Sequence, residues 1–428
     1  MRYDSIPPQL FVQNRARLAE LLPPDALTVV NANDVLPTNA DGTMLMKPNT
    51  DLFYLTGIEQ EESVLLLHPG ARDEKMREIL FLRQPNPHLE TWEGEKLTKE
   101  AATRISGIAR VEWTADFPAT FRRLLCECGS AYLNANEHPR ASVEVETREA
   151  RFVKQTVGEY PLHDFRRLAP LLHRLRAVKA PAEIALIRKA CEITGAGFRR
   201  ACKTVRPGVN EMEVEAEFAR EFIRRGGHFA YSPIIASGPN ACALHYVKND
   251  QPCKSGQLLL LDVAACYANY NADLTRTIPV SGRFTRRQRQ VYNAVLRVLR
   301  ALCKSAVPGK LPSEWQKESE QLIEKELVDL GLLKMTDIKK QAPGSPAFRK
   351  YFMHGCGHSL GLDVHDVVPA GGAFEAGWVL TVEPAIYIRE EGFAVRLENN
   401  IVVGNEGNTD LMARIPVEAD EIEVLMNR

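Results

Sequence analysis

The chain has 428 residues, enough for two domains, since single hydrophobic cores stop growing near ~250–300 residues. Hydrophobic residues make up 45% and charged residues 25%, the balance of a soluble globular protein rather than a disordered one. Lysine and arginine (54) nearly cancel aspartate and glutamate (55) for a formal net charge of -1, so no overall field suits nucleic acid or an anionic membrane.

The N-terminal stretch MRYDSIPPQLF lacks a long apolar run. No segment approaches the ~20 apolar residues of a membrane span. Nine scattered cysteines, none in a CxxC pair, predict a reduced, cytoplasmic protein.

Residues 1–168 alternate helical and strand-like segments. PPQLFVQNRARLAELL reads as an amphipathic helix, LTVV, SVLLL and EILFL as short apolar strands, and FPATFRRLLCEC as a helix before AYLNA. This pattern predicts an α/β domain without a phosphate loop or nucleophile elbow. The boundary is placed near LLHRLRAVKAPAEI, giving domains 1–168 and 169–428. Pro181 then starts a long helix with Ile184, Ile187, Cys191, Phe198 and Cys202 on one face. The one basic run, RFTRRQR at 283–289, carries Thr285 and Gln288 at capping-box spacing and reads as a solvated first turn.

The second half repeats itself weakly. ACKTVRPG (201–208) is echoed by LCKSAVPG (302–309), each ending one helix before an acid-rich second. SGQLLLLDVAACY (255–267) is echoed by AGWVLTVEPAIYI (376–388), with Asp262 and Glu383 each six residues after a glycine. Each of these strands leads to another with an acid, Asp273 in NADLTRTIPV and Glu398 in FAVRLENNIVV. Two such halves about a pseudo-dyad predict four carboxylates at the centre of a shared antiparallel sheet.

Apolar neighbours would bury these acids, and a buried carboxylate needs a cation, a proton or a metal. Arg276 and Arg396 alone cannot offset four negative charges. Two divalent ions can, with one neutral imidazole completing the shell. Such a pair activates water and polarises a carbonyl, so the chemistry predicted is hydrolysis. An oxygen-rich site with one nitrogen suits Mn²⁺, with Co²⁺ or Zn²⁺ as alternatives.

Three histidines that could supply the nitrogen lie in FMHGCGHSLGLDVHD (352–366): His354, His358 and His365. His354 and His358 have the spacing of a zinc-protease helix, but Gly355 and Gly357 disfavour a helix and Cys356 is no general base. An irregular or extended segment is expected.

Five ordered blocks, LHYVKND, LDVAACYANYNADLTRT, FMHGCGHSLGLDVHD, TVEPAIYI and VRLENNIVV, resemble the methionine aminopeptidase, aminopeptidase P and prolidase superfamily. NTDLFYLTGIEQEESVLLL resembles the N-terminal domain of its aminopeptidase P branch. The resemblance implies an α/β (α+β) chain, with a creatinase/aminopeptidase P-type N-terminal domain for gating and assembly before a "pita-bread" catalytic domain. It implies Asp262, Asp273, His358, Glu383 and Glu398 as ligands of two metal ions, and Glu383 also as general base. His245, His354 and His365 would face the substrate, and Arg396 would orient the site or hold a substrate carboxylate.

The implied reaction removes the first residue of peptides with proline second, in a homodimer or homotetramer. The nearest alternative is a prolidase restricted to Xaa-Pro dipeptides. A non-catalytic scaffold of the same fold is disfavoured because all five ligand positions are filled. Two departures are notable. Ala264, Asn269 and Ala272 replace glycines frequent in the Asp-to-Asp hairpin, which is expected to persist with an adjusted turn. TWEGEKL resembles a segment placing a tryptophan near a neighbouring subunit's site, but Glu95 and Lys96 break its pattern, and Trp92 is read as a buried core residue.

Overall fold

The structure, a computed structural model, describes residues 2–142, 144–342 and 344–427. It divides into two compact units, Ser5–Arg176 and residues 2–4 with 177–427. The short helix Ala169–Ala177 therefore closes the first unit, where the sequence reading assigns it to the second.

The first unit is built on a six-stranded mixed sheet. Its order is Arg110–Trp113, Glu78–Leu82, Val64–Leu67, Ala26–Asn31, Ser130–Leu133 and Phe165–Arg167. Alternate residues Leu27 and Val29, Val64 and Leu66, and Ile79 and Phe81 share one core with Phe121, Leu124 and Leu125 of the helix Phe117–Glu127. Their neighbours Val30, Leu65 and Leu80 are buried as well, which is why these strands read as continuous apolar runs rather than alternating ones. Trp92, on the short helix Pro87–Glu93, is 75% exposed. The core position read from sequence is thus corrected: this one-turn-plus helix buries none of its described side chains.

In the second unit Pro181 occupies the first position of the helix Pro181–Thr204, and Glu183 caps it by accepting a hydrogen bond from the Ala180 amide. Thr285 and Gln288 form the expected capping box of Arg286–Ser305. Two arginines of that first turn are paired, Arg287 with Glu391 and Arg289 with Glu423, which relieves repulsion at a helix N-terminus. The echoed segments end these two helices, and each is followed by another, Glu211–Arg224 and Pro312–Asp329.

The strand part of the repeat is also present, but the shared sheet is in short antiparallel pieces. Ile234–Ser237, Leu258–Asp262 and Thr275–Pro279 form one, and Val379–Val382, Asn399–Val402 and Thr409–Asp410 another. Ala265–Tyr267 pairs with Tyr270–Asn271, and Ala385–Ile388 with Phe393–Arg396. Every break falls at one of the four acids: after Asp262, at Asp273, after Val382 at Glu383, and after Arg396 at Glu398. Four carboxylates crowded together repel one another, and Pro384 offers the ladder no N–H, so the regular pairing yields there. The hairpin persists without its glycines. Ala268 and Asn269 take positive φ of 50° and 66° between the paired Tyr267 and Tyr270, the signature of a two-residue primed turn.

Candidate active site

The stretch FMHGCGHSLGLDVHD is irregular rather than helical, with one bridge at Ser359 and bends over residues 361–365. Hydrogen bonds from the Glu383 amide to the Cys356 carbonyl (2.8 Å), from Thr381 to His358 (2.8 Å) and from Leu360 to Val379 (2.9 Å) lay it along the strand Val379–Val382. Gly357 makes the close approach: a Cβ there would stand 2.1 Å from the Thr381 carbonyl oxygen and 2.9 Å from the Trp315 ring. Asn271 donates to the Gly361 and Leu362 carbonyls at 3.0 and 2.9 Å. Beyond them Asp366 pairs with Lys179 at 2.9 Å, both side chains at most 2% exposed. Lys179→Met would remove the ammonium paired with the buried Asp366 carboxylate. An unfolding free energy lower by about 3–5 kcal/mol is expected, read as a drop in the urea midpoint.

This framework brings His358 against the acids. Its Nε2 lies 3.6 Å from Asp273 Oδ2 and 3.7 Å from Glu383 Oε1. Its Nδ1 is 3.0 Å from the Ser359 carbonyl, an acceptor only, so Nδ1 carries the hydrogen and Nε2 presents the lone pair. Asp273, His358 and Glu398 each offer a ligand atom within 4.8 Å of the others. Thr275 donates to Glu398 at 2.7 Å, and the Glu398 amide donates to the Thr275 carbonyl at 3.0 Å, joining the two halves. Burial, with Asp262 and Glu383 nearby, raises Asp273 well above the ordinary aspartate range. Burial, with Asp273 as the largest charged neighbour, does the same to Glu398.

The cationic alternatives are spent elsewhere or cover one acid. Arg276 is buried with its guanidinium on the Thr275, Glu398 and Pro416 carbonyls and the Asn399 side chain. Arg396 donates to Asp262 and, at 2.8 and 3.1 Å, to Tyr387 and Thr275. Asp273, His358 and Glu398 within 4.8 Å of one another, with Glu383 3.7 Å from His358 and Asp262 sharing the Tyr231 hydroxyl with Asp273, make an oxygen-rich donor set with one imidazole nitrogen that fits divalent metal.

Sequence reasoning misses Tyr231, whose hydroxyl is 2.6 Å from both Asp262 Oδ1 and Asp273 Oδ1. The two contacts show how closely the Asp262 and Asp273 carboxylates are brought together. The pairing of Ile234 with Asp262 places Tyr231 beside the acids, a register that FAYSPII does not announce.

His354 lies in the same cluster, hydrogen-bonded on both sides of its ring. Its Nδ1 is 2.8 Å from the Gly355 carbonyl and its Nε2 2.8 Å from the Tyr387 hydroxyl, so both nitrogens are engaged. Burial, helped by Arg396, lowers its pKa to about 4, and the ring is neutral near pH 7. His365 is exposed and meets His358 edge to face, ring centroids 4.3 Å apart. His245 is exposed on the segment after Gly238–Cys242 and close enough to His354 to contribute to its low pKa. Arg396 is buried against Asp262 rather than turned to solvent.

Residues 185–405 match the family model described as Metallopeptidase family M24, and residues 11–132 match Aminopeptidase P, N-terminal domain. The chain is 34% identical to a Xaa-Pro aminopeptidase of Haemophilus influenzae across 99% of its own length and 98% of the relative's. Zinc-substituted Escherichia coli aminopeptidase P in complex with product superposes with a TM-score of 0.87 at 32% identity, covering 99% of both chains. The same holds for that enzyme with the inhibitor Pro-Leu. With both domain models matched in order and the likeness running end to end, the chain belongs to the aminopeptidase P family of M24 metallopeptidases.

Proposed function

We propose that the chain is a metal-dependent aminopeptidase that hydrolyses the N-terminal Xaa-Pro bond of peptides. The observation that carries this reading is the convergence of Asp262, Asp273, Glu383 and Glu398 with His358 at four breaks in paired strands. These five residues would hold two divalent ions, Mn²⁺ by the oxygen-rich set, with Co²⁺ or Zn²⁺ as alternatives. Bound there, the ions would supply Lewis-acid polarisation of the scissile carbonyl and acidify water.

The chain's own groups do the rest. Glu383 accepts a proton from the attacking water and returns it to the leaving nitrogen. That return is indispensable, because an amide nitrogen leaves as an amine only once it gains a proton. His365, against the His358 ring, and His245, near His354, donate to the carbonyl oxygens of the substrate. His354, its nitrogens occupied, offers a fixed neutral ring. Arg396 orients Asp262.

A prolidase would need a free cation for the dipeptide carboxylate. Arg396, already engaged by Asp262, Tyr387 and Thr275, is a poor one, which favours the longer substrate. The Pro-Leu inhibitor of the E. coli relative is consistent with a residue following proline. Xaa-Pro-Yaa peptides are therefore expected to be cut at least tenfold more efficiently than Xaa-Pro dipeptides, measured as kcat/KM. Cleavage of the dipeptide alone would sink the assignment. Among the described residues no helix is long and apolar enough to cross a membrane. We place the enzyme in the cytoplasm, a reading supported by its free cysteines, as a homodimer or homotetramer, supported by exposed Trp92 and Leu45 on the N-terminal unit and tested by sedimentation.

A further inference from the structure

Glu211, the first residue of the helix Glu211–Arg224, is fully buried, yet its carboxylate receives four hydrogen bonds. Oε1 accepts from the Ser237 amide and hydroxyl, both at 2.7 Å. Oε2 accepts from the Tyr246 hydroxyl at 2.8 Å and the Gln251 amide at 3.1 Å. One helical turn on, Glu215 accepts from the Asn249 side chain at 2.8 Å. Asn249 in turn accepts from the Ile235 amide at 2.9 Å and donates to the Pro233 carbonyl at 3.0 Å.

All these bonds tie the segment 237–251 to the helix, to the strand Ile234–Ser237 or to Pro233 just before it. The segment has little regular structure of its own, only the short turn Gly238–Cys242. At its middle stands His245, exposed and next in sequence to Tyr246. A loop histidine that must meet a substrate atom within hydrogen-bond reach needs its backbone held to a fraction of an ångström. An anion with four donors, buried behind that loop, is a device for holding it.

We propose that Glu211, acting through the Tyr246 hydroxyl, is a positioning residue that fixes His245 for contact with the peptide. The inference rests on the assignment of His245 to the substrate. Burial, and then the hydrogen bond to Glu211, raise the Tyr246 pKa, so the hydroxyl stays a donor across the working range. Tyr246 is only half-buried, and Tyr246→Phe leaves the Ser237 and Gln251 bonds in place, so the fold is retained.

The test is a double-mutant cycle on Mn²⁺-loaded enzyme with an Xaa-Pro-Yaa peptide. Tyr246→Phe is expected to lower kcat/KM about tenfold in the parent, with bound metal and thermal midpoint unchanged. In a His245→Ala background the same substitution is expected to change kcat/KM by less than about twofold. An equal loss in both backgrounds, or no loss in the parent, would overturn the positioning role. A His245→Ala enzyme with undiminished kcat/KM would instead refute the assignment of His245, and the clamp with it.

Discussion

His358→Ala is expected to deplete the chain of metal and to lower kcat/KM by about 10³-fold or more, whereas His365→Ala should keep its metal and lose about 10²-fold. The two rings touch, centroids 4.3 Å apart, so the contrast isolates role from place. His358 presents Nε2 to Asp273 and Glu383 and anchors Nδ1 on the Ser359 carbonyl, the arrangement of a ligand with its other nitrogen fixed. Losing it removes a neutral donor from a set otherwise made of repelling anions. Lewis-acid catalysis supplies several kcal/mol, and each ~1.4 kcal/mol is a factor of ten in rate, hence the size of the loss. His365 is exposed, and a single donor to a developing oxyanion contributes about 10²–10³-fold. Metal analysis beside kinetics on both variants checks the pair. Equal metal content in the two would contradict the division of roles.

The second large effect concerns the metal-free chain, whose stability is expected to fall as pH rises above the ordinary carboxylate range. Burial and neighbouring acids raise Asp273 and Glu398 well above their ordinary values of 3.8 and 4.5. Once pH passes those values the unfolded chain releases protons that the folded chain retains. The folded state then binds more protons than the unfolded one, and stability declines with pH by up to about 1.4 kcal/mol per unit for each group. Metal competes with those protons and should bind more tightly as pH rises. Urea denaturation in chelator at pH 5 and pH 7.5 reads the slope, and Glu398→Gln should flatten it. A chelated parent that is more stable at pH 7.5, with Glu398→Gln unchanged in slope, would contradict this picture.

Much of this architecture was legible in the residues because local physics dictated it. Pro181 and the Thr285–Gln288 box start their helices where proline and capping chemistry require. The six-residue step from Gly256 to Asp262 and from Gly377 to Glu383 survives as two matching turns, both glycines at positive φ, 80° and 93°. What stayed hidden depends on pairing across long separations. Leu258–Asp262 and Val379–Val382 read as uninterrupted apolar strands, and only the meeting of four acids shows why the ladders stop. Tyr231 and Tyr387 act through hydroxyls delivered by register, Tyr231 to two acids and Tyr387 to His354 and Arg396, with no spacing signal in sequence. Trp92 misled because an aromatic residue in a short segment carries no mark of which side it faces.

The central claim, a hydrolase whose clustered acids exist to hold metal, meets its most direct test in one titration of the chelated chain with Mn²⁺. Bound ions and cleavage of an Xaa-Pro-Yaa peptide would be followed together. The expected result is binding that saturates at two ions per chain, with release of the first residue appearing as the site fills. Cleavage that persists in chelator, or saturation with metal that brings no release of the first residue, would contradict the account.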